Sequence, residues 1–233
     1  MTPFRAWWGL PANDANPLNL QKWIAHVFDH PVTEPVWYWS DDPGVWEDQP
    51  EHILSLVADT FEQSGELLSR FSDAQIDQGF WFLWAGPNNA FTEAFLDNDV
   101  PIASRLRALR SFVPLFQQVM AVRCSDHLSH LDEPGANPLN SSCYMWWDIA
   151  PIRGKLDDSE RAEFDTEVLT VLQRLVAIQH NACHESALHG LNHWQPYYPE
   201  KIGNVIDNFL IRTPKLRPEL INYALLAKAG NAQ

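Results

Sequence analysis

Leu20, Trp23, Ile24, Val27 and Phe28 fall at positions i, i+3, i+4, i+7 and i+8. That spacing is the apolar stripe of an amphipathic helix. It recurs along most of the chain, interrupted by Pro, Gly and Asn. Asn19 can cap the first helix. Pro50 opens a second at the position where proline is favoured, with Ile53, Leu54, Val57, Ala58 and Phe61 as its stripe. Ser64-Gly65 is a break. Ser72 and Gln75 are spaced as a capping box before the apolar run GFWFLWAG, which ends at Gly86-Pro87. Residues 100–123 read as one long helix carrying Ile102, Leu106, Leu109, Val113, Phe116, Val119 and Met120. HLDEPGANPLN has loop composition, and CYMWWDI is a short aromatic element that stops at Pro151.

The C-terminal third repeats the pattern most clearly. Asp158 or Ser159 can cap a helix with Phe164, Val168, Leu172, Leu175 and Ile178 on one face. Further helices are expected over 181–194, 200–210 and from Pro218 to a glycine C-cap at Gly230. VWYW is the one short strand candidate, and it lacks a pairing partner. The expected fold is therefore all-α. It is a single domain over 1–233, with residues 1–50 forming a Trp/Pro-rich acidic portion. Helices joined by short breaks stack as antiparallel neighbours, in a HEAT/armadillo-like α-solenoid or an irregular bundle, although no strict repeat period is visible.

Composition removes several function classes. The formal charge is −14, and residues 1–100 hold three Lys/Arg against sixteen Asp/Glu, so −13 of it lies there. Nucleic-acid binding needs a basic footprint; this asymmetry suits a basic protein partner instead. No apolar run approaches a membrane span, and the N-terminus lacks a secretory pattern, so a cytoplasmic location is expected. Cys124, Cys143 and Cys183 are widely separated, without a CxxC pair, and read as buried reduced thiols. There is no glycine-rich phosphate loop, and no cofactor is expected.

The segments NPLNSSCYMWWD and CHESALHGLNHW, with FSDAQIDQGFWFLWAG and LINYALLAKAGNAQ, carry a resemblance. Over Gly65–Gln233 the chain resembles a group of bacterial proteins with a HEAT-like helical fold. The group implies the fold and brings no reaction, substrate or catalytic residue. Its pattern has glycine where Asn192 stands and glutamine where His184 stands.

HNACHESALHGLNHW, residues 180–194, holds four of the nine histidines. A zinc-protease helix needs H-E-x-x-H, with two His ligands on one face. Here Leu188 stands four residues after His184, and His189 follows at i+5, roughly 140° around the helix. The motif fails. Sorting by face puts His184 with Cys183, Ala187, Leu188 and Leu191 on the core side. Glu185, His189 and His193 form a polar stripe at i, i+4, i+8, where two histidines could hold a metal with a further ligand from elsewhere. A hydrogen-bonded polar face is the simpler reading, so no metal or catalytic residue is assigned.

EPVWYWSDDPGVWEDQPEH, residues 34–52, interleaves tryptophans with acids. Exposed aromatics rimmed by one sign of charge anchor and steer protein interfaces. Trp37, Trp39, Asp41, Asp42, Trp46, Glu47 and Asp48 are the candidate partner-binding residues. Asp148, among aromatics, must be paired, and Arg153 is the local candidate. The sequence thus points to a non-enzymatic protein-binding module for a basic partner, such as a toxin neutralised by an immunity or antitoxin protein. The alternatives are a metal-dependent enzyme on the Glu185/His189/His193 face and a structural oligomer subunit.

Overall fold

The computed structural model describes residues 17–39, 44, 46–86, 90–150, 152 and 161–232, and among these it is all-helical. In chain order the helices are α1 (Pro17–Phe28), α2 (Pro50–Glu62), α3 (Ser64–Leu67), α4 (Asp73–Ala85), α5 (Ala90–Leu96), α6 (Ile102–Arg110), α7 (Phe112–Leu115), α8 (Ala121–Arg123), α9 (Pro138–Ile149), α10 (Arg161–Leu175), α11 (Asn181–Trp194), α12 (Pro199–Arg212) and α13 (Pro218–Lys228). A single π-turn, Phe116–Met120, joins α7 to α8. Proline is the first residue of α1, α2, α9, α12 and α13, where its missing N–H has no intrahelical partner to lose. The capping box expected at the start of α4 forms, with the Ser72 hydroxyl accepting from the Gln75 backbone and the Gln75 side chain returning to Ser72. No helix among the described residues is long and apolar enough to cross a membrane.

Several expectations need correction. The first helix starts at Pro17 rather than from a cap at Asn19. VWYW is not a strand: Trp37–Trp39 form a 3₁₀ turn. The long helix over 100–123 is broken into α6, α7, the π-turn and α8. Pro114 lies inside it, has no N–H to give to Arg110, and crowds that carbonyl. The short aromatic element is instead the second half of α9, which is capped by the Asn137 side chain accepting from Leu139 N–H. The proposed caps Asp158 and Ser159 lie outside the described residues.

Trp146 of α9 is the hub of the core. It is fully buried, and Phe61, Phe80, Trp84, Phe112 and Phe116 surround it with ring centroids 5.3–6.0 Å away. These rings come from α2, α4, α7 and the π-turn. Edge-on contacts of this kind add to the burial of large apolar area. α4 packs on α9 and α6 packs on α10. Elements far apart in sequence therefore touch.

α9 reaches the C-terminal helices with its other side. Tyr144 and Asp148 are four residues apart and so share a face, while Trp146 between them points the opposite way into the core. That face meets α11, which packs on α9, α10, α12 and α13. Gly190 permits the close approach. A Cβ there would stand 2.6 Å from Leu172 Cδ2 and 2.8 Å from the Trp147 ring.

Candidate metal centre between α9 and α11

Asp148, His189 and His193 each offer one donor atom, and the three lie within 4.8 Å of one another. His189 Nε2 is 2.7 Å from Asp148 Oδ2, and His193 Nε2 is 3.1 Å from Asp148 Oδ1. The two Nε2 atoms are 3.1 Å apart. His189 and His193 share a face of α11 at i, i+4, as the sequence implies, and the carboxylate arrives from α9. Exposure is graded across the group: the His189 side chain is 8% exposed, Asp148 31% and His193 37%. The cluster is thus anchored inside and open on the His193 side.

Behind His189 the polar groups continue inward. Its Nδ1 is 2.8 Å from the Tyr223 hydroxyl, which is 3.3 Å from the Tyr144 hydroxyl. Tyr223 is buried on α13. Burial pushes the Tyr223 phenol well above its ordinary range, and the Tyr144 phenol also upward, so both stay protonated near neutrality. Burial pulls His189 below the usual imidazole value, and His193 adds to this while Asp148 opposes it. A neutral imidazole is the form a metal needs.

Glu185 belongs elsewhere. It is fully buried and accepts from the backbone N–H groups of Ser129 at 2.9 Å and His130 at 3.0 Å, and from His130 Nδ1 at 2.5 Å. These contacts clamp the loop before α9 onto α11. Glu133 holds the same loop to Arg217, just ahead of α13. The expected stripe of Glu185, His189 and His193 is therefore corrected: Asp148 from α9 takes the acidic place. The His130 ring, which the sequence reading passed over, lies 4.4 Å from the Tyr223 ring. Arg153, expected to pair with Asp148, lies outside the described residues.

His184 is on the core side as expected, with its ring 5.0 Å from Phe209. Burial and the neighbouring His180 hold it down to about 4. The three cysteines are free and buried, yet they are not scattered. Cys143 lies against both Cys124 and Cys183, and His180 against Cys183.

The candidate partner-binding residues separate. Trp37 is buried, stacked on His30 at 3.5 Å. Trp46 is half-buried against Trp23, and Asp48 pairs with His52 at 2.6 Å. Trp39 is 60% exposed, and Glu47 is also exposed. Asp41 and Asp42 lie outside the described residues.

Comparison with known proteins finds no matching family model, no matching curated protein and no matching solved structure.

Proposed function

We propose that this protein binds a divalent transition-metal ion through Asp148, His189 and His193, and uses it as a Lewis acid on a substrate reaching it from the His193 side. One observation carries the reading: three donor atoms from two packed helices converge within 4.8 Å. Two ligands about 2.0–2.1 Å from a common ion in tetrahedral geometry stand about 3.3 Å apart, close to the 3.1 Å between the imidazole nitrogens. Two imidazoles and a carboxylate suit zinc or iron(II) rather than calcium or magnesium. Three protein ligands with an open side is the arrangement of catalytic rather than structural sites.

The test is elemental analysis of protein stripped of metal and reloaded with zinc, iron(II) or manganese. About one ion per chain is expected, lost in the His189→Ala/His193→Ala double variant. A wild-type protein that takes up no ion, or a double variant that takes up as much, sinks the proposal.

A second reading has its own support. Trp39 is a large exposed aromatic in the acidic half of the chain, as an anchor for a basic partner would be. A salt-sensitive capture of a basic protein, lost in Trp39→Ala, would favour this binding role, with an immunity or antitoxin protein as one concrete form.

A further inference from the structure

Both ring nitrogens of His189 are engaged, and their hydrogen bonds decide which one can face an ion. Without an ion, His189 Nε2 is 2.7 Å from Asp148 Oδ2. A carboxylate can only accept, so Nε2 carries the proton. In the neutral ring Nδ1 is then the acceptor, and the Tyr223 hydroxyl, 2.8 Å away, must donate to it. An ion at Nε2 requires the opposite arrangement. Nε2 must be bare, Nδ1 must carry the hydrogen, and the Tyr223 oxygen must accept it. The Tyr223 hydroxyl then needs a new acceptor, and the one beside it is the Tyr144 oxygen at 3.3 Å. Tyr223 is buried, whereas Tyr144 is half-buried, so the chain leads outward.

We infer that Tyr223 and Tyr144 form a reversible hydrogen-bond relay that switches the His189 tautomer when metal enters the Asp148–His189–His193 site. The protons balance along the His189 path, and His193, 37% exposed beside Asp148, exchanges its own Nε2 proton with solvent. The Nε2 proton leaves to solvent, the Tyr223 proton passes to Nδ1, the Tyr144 proton replaces it on Tyr223, and solvent restores Tyr144. No group changes charge. Tyr223 is thus a positioning residue with two hydrogen-bonding states. The inference rests on the metal reading, but its metal-free half stands by itself.

Zinc is the probe. Nitrogen-15 NMR of the imidazoles reports which His189 nitrogen is protonated, and competition titration reports affinity. In wild-type protein the proton should sit on Nε2 without zinc and on Nδ1 with it. Tyr223→Phe leaves a bare Nδ1 without its donor in the metal-free state and an Nδ1–H without its acceptor in the loaded state. The second loss is the larger, because a bound ion polarises the ring and strengthens the hydrogen bond its N–H gives. Zinc affinity should then fall roughly 10- to 100-fold, the usual effect of losing an outer-shell partner, while thermal unfolding of the metal-free protein confirms that the variant folds. Tyr144→Phe, nearer the surface, should weaken binding by a smaller factor. Wild-type affinity in Tyr223→Phe, a larger loss in Tyr144→Phe, or the same protonated nitrogen in both states would overturn the relay. Wild-type protein that binds no zinc removes the metal reading and the relay with it. In that case an Nε2 proton in the metal-free spectrum identifies the metal premise, not the hydrogen-bond assignment, as the point of failure.

Discussion

His189 Nε2 stands 2.7 Å from the Asp148 carboxylate, although 41 residues separate them in the chain. The contact joins α9 to α11 and supplies the only formal negative charge among the three converging groups. Asp148→Asn preserves shape and removes that charge. Zinc affinity should fall by more than about 100-fold, since even outer-shell partners are worth 10- to 100-fold. Competition titration measures it, and an Asn variant with wild-type affinity would remove Asp148 from the ligand set.

Glu185 gives the complementary prediction. Its carboxylate holds two backbone N–H groups and the His130 ring in a fully buried position. Glu185→Gln presents an NH₂ to one of these donors. It should destabilise the fold by about 1–3 kcal/mol in urea unfolding, the cost of a buried donor left unpaired. Zinc uptake should stay near one per chain. Unchanged stability with lost zinc would return Glu185 to the ligand set.

These two residues show what was legible in the sequence and what was not. The i, i+4 pairing of His189 and His193 is a property of one helix and could be read locally. So could the proline starts of α2 and α13, the Ser72 capping box and the facing of His184. The third member could not be read, because it comes from another helix and nothing in the spacing of CYMWWDI says which helix its outer face will meet. Glu185 has the right spacing and the wrong environment. The decisive donors are the N–H groups of Ser129 and His130 in a loop whose path is set by tertiary packing. The unbroken helix over 100–123 failed for a local reason that was in plain view, Pro114.

Gly190 sets the distance between the two halves of the site. An alanine Cβ would meet Leu172 Cδ2 at 2.6 Å and the Trp147 ring at 2.8 Å. Both neighbours are buried and neither can swing away. Gly190→Ala should destabilise by about 1–3 kcal/mol through overpacking, against a small gain in helix propensity. It should also weaken zinc binding, because α11 must move from α9. Unfolding and zinc titration of one preparation test both, and an alanine variant as stable as wild type contradicts the close packing.

Trp37 and Trp39 lie two residues apart and should behave oppositely. Trp37 is 8% exposed and packs on His30 and Phe82. Its replacement by alanine should cost about 3–5 kcal/mol. Trp39 is 60% exposed, and its replacement should change stability by no more than about 0.5 kcal/mol. Chemical unfolding compares them directly. Equal losses would mean that Trp39 is packed after all and is no surface anchor.

His184 makes the acid side of the stability curve. Its folded value is held down to about 4 by burial, assisted by His180 and opposed by Asp126, against an ordinary value near 6.5 in the unfolded chain. The unfolded state binds the proton more readily, so the contribution of neutral His184 is fully present above about pH 6.5. It is lost as the pH falls through about 4, with a total of about 3 kcal/mol. Asp77 works the other way. Burial raises it to about 6, so its ionisation weakens the fold as the pH rises toward that value. Comparison of His184→Gln with wild type cancels the Asp77 contribution, which both share. The glutamine variant should lose less stability between pH 6.5 and pH 4 than wild type, as read by urea midpoints across that range. Parallel curves for the two proteins would show that His184 is protonated in the fold as easily as outside it.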